Sequence, residues 1–182
     1  AVLGTGVASD EDLPPRVGQS ADMSNAPRVD VDKPVDLVPL YLRDKRIHGL
    51  QPFQALVDAA PAGSTLRPKP GKYAGPVHLT KPLKIEGDGK VTIDGGNKST
   101  VFVIETSGAR VSGLHLMGSG SSHHTDDACL NVRGHHNLIE NLVIDDCLFG
   151  IDLKQSNNNI VRSNRIRSKP ADLGVRGDGI RL

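Results

Sequence analysis

The sequence predicts an all-β fold, a right-handed parallel β-helix with coils of about 22 residues. Three observations lead there. First, Asn137-Leu138-Ile139-Glu140-Asn141-Leu142-Val143-Ile144 recurs about 22 residues later as Asn159-Ile160-Val161-Arg162-Ser163-Asn164-Arg165-Ile166. The preceding segments match too. Cys129-Leu130-Asn131-Val132 aligns with Gly150-Ile151-Asp152-Leu153, and Gly179-Ile180-Arg181-Leu182 begins a third copy. Second, each unit alternates apolar and polar residues in short runs broken by Gly, Asn, Ser or Asp, which leaves no room for a long helix. Third, aromatic residues make up only 3% of the chain and Trp is absent. That suits a narrow interior filled by Val, Ile and Leu. A unit this short cannot bury its own apolar face and must stack on its neighbours. The alternative is a β-sandwich with Asn-rich turns, but sandwiches rarely hold one register across copies.

The corners support the same fold. Asn tolerates left-handed backbone geometry, and its amide can stack between layers. Asn137 and Asn159 fall at equivalent corners and are expected to form such a ladder. Asn164 falls opposite Leu142, so a second ladder is expected to be interrupted there.

Taken in order, residues 1–48 carry scattered prolines and charges without periodicity and are expected to form a flexible lead, with an ordered stretch near 35–42. Leu50, Phe53, Gln54, Leu56, Val57 and Ala60 follow helical spacing, closed by Pro61-Ala62-Gly63. A helix over about 50–60 would plug the open end of the coil. The β-helix is then expected over 49–182, with strands near Thr65–Arg67, Tyr73, Val77–Leu79, Leu83–Gly87, Val91–Gly96 and Val101–Ile104. Val111–Leu116 matches Ile139–Ile144 at a spacing of 28 rather than 22. The surplus lies in Met117–Asp127, an expected insertion on one flank, where solenoids carry binding loops. The chain ends within a strand, so further coils are expected beyond Leu182.

Function classes narrow less sharply. A net charge of +1, with no basic cluster interleaved with aromatics, argues against a nucleic-acid partner. No apolar run approaches the roughly 20 residues that span a bilayer.

Several stretches carry a family resemblance. They are Ala59-Ala60-Pro61-Ala62-Gly63-Ser64-Thr65-Leu66, Pro70-Gly71-Lys72-Tyr73-Ala74-Gly75-Pro76, Lys81-Pro82-Leu83 with Glu86-Gly87, and Thr92-Ile93-Asp94-Gly95-Gly96. Asp126-Asp127-Ala128, Phe149-Gly150-Ile151, Leu153-Lys154-Gln155-Ser156 and Gly174-Val175-Arg176-Gly177-Asp178-Gly179-Ile180 continue it. Together they resemble NosD-type proteins over about 50–182. The resemblance implies a periplasmic β-helix that works with an ABC transporter, nitrous-oxide reductase and a copper chaperone in assembling the reductase's copper–sulfide centre. It supplies no catalytic motif. Related β-helices bind or process carbohydrates, and a carbohydrate-binding or carbohydrate-active β-helix is the alternative reading.

The residues themselves carry little catalytic pattern. Asp126-Asp127 and Gly134-His135-His136 imitate pieces of a polygalacturonase site, but both lie in one coil, whereas inverting hydrolysis needs carboxyls about 6.5–9.5 Å apart across the bond. Glu140, Asp145, Asp146 and Asp152 do not occupy equivalent positions of successive coils, as a Ca²⁺-dependent lyase would require. For metal, His123, His124 and Asp126 in the insertion are candidates for transient copper, since imidazole suits Cu(II) and the thioether of nearby Met117 suits Cu(I). Neighbouring strand side chains point to opposite faces, however, and polar filling is the simpler reading. Met117, Ser119, Thr125 and Asp127 are candidate docking positions. Cys129 and Cys147 permit a disulfide, but their separation is short of the repeat, and buried thiols are expected.

Overall fold

The computed structural model describes residues 46–182; the stretch 35–42 lies outside them. The described residues form a parallel β-helix of five stacked coils behind one short helix. Helix α1 (Phe53–Ala59) is shorter than expected because Pro52 opens it and Ala60 is already extended. It plugs the coil as anticipated. Phe53 is fully buried and meets Tyr73 edge-on at 5.4 Å and Phe102 at 6.5 Å. The first coil contains β1 (Thr65–Leu66), β2 (Gly71–Ala74) and β3 (Val77–Leu79), and the second β4 (Lys84–Asp94) and β5 (Phe102–Ile104). The third has β6 (Arg110–Met117) and β7 (Ala128–Val132), and the fourth β8 (Leu138–Glu140), β9 (Val143–Cys147) and β10 (Phe149–Leu153). The fifth has β11 (Ile160–Arg162), β12 (Arg165–Ser168) and β13 (Ile180–Arg181).

The strands stack on three faces, each with an inward apolar row in strict register. On the first face the row is Leu66, Ile85, Val111, Ile139 and Val161. On the second it is Tyr73, Ile93, Leu116, Ile144 and Ile166. On the third it is Val77, Phe102, Leu130, Ile151 and Ile180. Apart from Ile180, which is exposed, these rows make one continuous core. Residues with positive φ turn the corner between the first and second faces: Gly113 (65°), Asn141 (55°) and Ser163 (55°). Gly113 has a second reason to be glycine, because a Cβ there would lie 2.8 Å from the Asp88 amide nitrogen. In the second coil the same corner carries a four-residue excursion, 87–90, which interrupts the register between Glu86 and Val91.

The asparagine ladder exists, but it is built differently from the expected amide stack. The Ala109 N–H donates to Asn137 Oδ1 at 2.8 Å, and Asn137 Nδ2 donates to the Thr106 carbonyl at 2.9 Å. Asn159 repeats this one coil later, accepting from the Asn137 N–H and donating to the Gly134 carbonyl, both at 2.9 Å. Each amide therefore satisfies backbone groups of the preceding coil rather than another amide. For that reason Asn164 needs no asparagine above it. It accepts from the Leu142 N–H at 2.9 Å and donates to the Ile139 carbonyl at 3.1 Å. The rung stops there as anticipated, since the apolar Leu142 side chain carries no amide to continue it to the coil before.

Cys129 and Cys147, expected as buried thiols, are buried but joined in a disulfide with a Cα–Cα distance of 5.6 Å. Their separation of 18 falls short of a coil because they occupy different faces. Cys147 ends β9 on the second face, and Cys129 lies in β7 on the third.

Two outcomes follow for stability. Closing an 18-residue separation stabilises by about 3 kcal/mol, so Cys129→Ala/Cys147→Ala and reductant are each expected to lower the midpoint of thermal unfolding. Asn137→Ala strands the Ala109 N–H and Thr106 carbonyl and is expected to cost about 1–3 kcal/mol in chemical denaturation, while Asn137→Asp, which keeps the acceptor but buries a carboxylate oxygen against the Thr106 carbonyl, is expected to cost at least as much at neutral pH.

Candidate functional site

The outward side chains of the third face form a charged lattice. One row runs His78, Val103, Asn131, Asp152, Arg181 across the five coils. Asp152 is only 1% exposed although it points outward. It accepts from Asn131 Nδ2 at 3.0 Å and from Arg181 Nε and Nη2 at 2.9 and 3.0 Å. Arg133 donates to Asn131 Oδ1 at 3.1 Å and pairs with Glu105 at 3.1 Å. The Arg181 guanidinium lies 4.2 Å from the centre of the Phe149 ring, a cation–π contact that fixes its plane.

The insertion is where the register places it, at 118–127 between β6 and β7, but it is fastened rather than free. Ser119 is fully buried, and its hydroxyl takes the Leu148 N–H at 2.9 Å. Asp127, 4% exposed, accepts from the Ser122 N–H at 2.9 Å and from the Thr125 hydroxyl at 2.8 Å. Asp126 pairs with Lys154 at 2.5 Å and with Arg181 at 2.9 Å. Those two cations, Arg181 foremost, hold its carboxyl down at about 2. His123 Nε2 is 3.0 Å from the Val175 carbonyl, and its ring meets Phe149 edge-on at 5.5 Å. His124 is exposed. Met117 lies outside the loop, ending β6 on the second face in register with Asp94 and Asp145.

Ser119, Asp126 and Asp127 are thus internal fasteners, and the accessible tip is His123, His124 and Thr125. Among the described residues no three His, Cys, Asp or Glu side chains come together in a way that could hold a metal ion. Asp126 is committed to two cations, so the three residues proposed for copper do not form a preassembled chelate.

Three features escaped the sequence reading. One is a clamp on the second face. Asp94, with no exposed surface, accepts from Arg46 Nε at 2.9 Å, Lys72 Nζ at 2.8 Å and the Gly96 N–H at 2.9 Å. Arg46 also reaches Asp146 at 3.0 Å, and Ile47 is fully buried beside Ala74. The flexible lead was expected to run to residue 48, but 46–48 already belong to the flank of the coil. The single buried Ile in a charged run gave no periodic signal.

The second is a longer loop at 169–179, with a 3₁₀ turn at Leu173–Val175, at the same corner as the insertion. The third is the alternation of charge between coils. Acids of the fourth coil meet bases of the fifth: Glu140 with Arg162 at 2.7 Å, Asp145 with Arg167 at 2.7 Å, Asp146 with Lys169 at 3.5 Å, and Asp152 with Arg181. Glu140 also pairs with Arg110 of the third coil at 2.5 Å.

Among the described residues, open cavities flank these features. One of about 700 Å³ lies against the 87–90 excursion, lined by Arg67, Glu86, Lys90, Ser112 and Asn141 among others. Another of about 520 Å³ lies between β12 and the 169–179 loop. Among the described residues no helix is long and apolar enough to cross a membrane.

No family model, curated protein or solved structure matches the chain. The resemblance to NosD-type proteins rests on its short motifs.

The Asp126 pairing has a pH signature. A carboxyl lowered from 3.8 to about 2 contributes fully above its ordinary value and loses that contribution as pH falls through the lower one. Hydrogen-exchange protection of the 118–127 loop, corrected for intrinsic rates, is expected to drop between about pH 4 and pH 2. Arg181→Gln is expected to move that drop to higher pH.

Proposed function

We propose that the chain is a non-catalytic docking scaffold. In line with its motifs, we assign it as a periplasmic accessory protein for assembling the copper–sulfide centre of nitrous-oxide reductase, with an ABC transporter and a copper chaperone as partners. One observation supports the non-catalytic part above the others. The carboxyls of Glu86, Asp88, Asp126, Glu140 and Asp145 all lie below their ordinary values. The largest cause is in each case a hydrogen bond from one cation, respectively Lys84, Lys90, Arg181, Arg162 and Arg167. A general acid needs the opposite, a carboxyl pushed up toward neutrality by burial or by a like charge. Carboxylates held ionised between cations stiffen a surface instead.

Stiffness is what a docking flank requires, because a preorganised surface loses little entropy when a partner binds. The disulfide suits an oxidising compartment such as the periplasm. In this reading the exposed tip of His123, His124 and Thr125 is the part of the insertion offered to a partner, and any copper the chain handles itself meets those two imidazoles.

The test is made on the reductase. From cells lacking this protein, nitrous-oxide reductase is expected to carry its electron-entry copper while losing the catalytic copper–sulfide centre, seen as missing acid-labile sulfide and lost activity. A fully loaded enzyme would reject the assignment. Attention would then move to uronic-acid polysaccharides at the 700 Å³ groove.

A further inference from the structure

The fifth coil carries a cationic stripe whose charge is only partly used. Arg165, Arg167 and Lys169 occupy alternate positions along and just beyond β12. Side chains two apart on a strand share a face at a spacing of about 6.6 Å. Arg176 lines the 520 Å³ cavity together with Arg167 and Lys169, and Asp145 and Asp146 line it too.

The acids there are already matched. Asp145 takes both Arg167 Nε and Nη2, at 2.7 and 2.9 Å, and Asp146 is shared between Arg46 and Lys169. Arg176 makes one side-chain bond among the described residues, from Nε to the Ala171 carbonyl at 2.7 Å. That contact fixes the guanidinium and leaves its two terminal nitrogens for a two-oxygen acceptor. Arg165 is exposed and has no polar side-chain partner among the described residues. In register with it, the exposed Val143 continues the surface onto the fourth coil.

From this arrangement we infer that the stripe docks an extended acidic peptide segment of a partner protein. The inference rests on the docking-scaffold reading and names the chemistry of its partner. The fixed guanidinium of Arg176 and the exposed one of Arg165 suit carboxylates, and alternate acids on an extended strand repeat at the same spacing as the stripe. The outward row crossing this face is Lys72, Thr92, His115, Val143 and Arg165, with no Phe, Tyr or Trp. It therefore lacks the stacking platform that sugars and nucleobases use.

The probe is a fluorescently labelled synthetic peptide of alternating Glu and Thr, with its binding to the whole chain followed by anisotropy. Saturable binding that weakens with added salt is expected. Arg165→Gln and Arg176→Gln, which leave the charge pairs to the fourth coil intact, are each expected to weaken it by about tenfold, the scale of one charged hydrogen bond. Thermal unfolding of both variants should stay at the wild-type midpoint. Absence of saturable binding, or wild-type affinity in the double variant, overturns the inference. So does equal affinity for oligogalacturonate or single-stranded DNA of the same charge, which would mark a generic polyanion surface. The chain's own Val29-Asp30-Val31-Asp32 also alternates acids. If Asp30→Asn/Asp32→Asn tightens peptide binding, the occupant is internal and the partner is rejected. A negative peptide result beside a reductase lacking its centre removes this surface alone, and a fully loaded reductase beside tight peptide binding removes only the maturation role.

Discussion

Parallel stacking imposes one constraint on every coil: backbone donors and acceptors at its corners must find partners in the coil beside it. Where strands pair, the ladder meets that demand. At the corners the chain turns away, and side chains must take over. Asn137, Asn159 and Asn164 do so by bonding simultaneously to an N–H and a carbonyl of the coil before. An amide is suited to this because it carries both a donor and an acceptor. With the corners held in register, the inward rows align, and the core becomes a continuous column of mainly aliphatic side chains with aromatic rings at its N-terminal end.

The outward surface follows from the same register. Residues that stack inward in one row leave their neighbours stacked outward in another, so any charge on the outside confronts the equivalent position of the next coil. A row of like charges would repel. Here the acids Glu140, Asp145, Asp146 and Asp152 stand opposite Arg162, Arg167, Lys169 and Arg181. Asp152 is buried beneath its partners rather than hydrated, so removing one of them would leave a desolvated charge, which costs far more than a surface pair contributes.

Periodic features were legible in the sequence, and contacts without a period were not. The alignments of Asn137 with Asn159, Val111 with Ile139, and Cys129 with Gly150 all stand in the strand register. The surplus in 118–127 showed as a change of spacing from 22 to 28. Arg46, by contrast, reaches acids in the second and fourth coils, and no local pattern announces a partner 48 or 100 positions away. The disulfide was obscured because its cysteines sit on different faces and so miss the repeat. The candidate site suffered most. Asp126 and Asp127 look like exposed loop acids in sequence, and only tertiary contacts turn them inward.

A solenoid held solely by neighbouring coils can fray from one end, layer by layer. This chain has bonds that skip a layer. Arg46 joins Asp94 of the second coil to Asp146 of the fourth, and Arg181 of the fifth coil reaches back to Asp126 in the loop of the third. Such staples couple layers that do not touch through their strands. The second to fifth coils should therefore give way as one cooperative block under mechanical load or heat, rather than peel away singly.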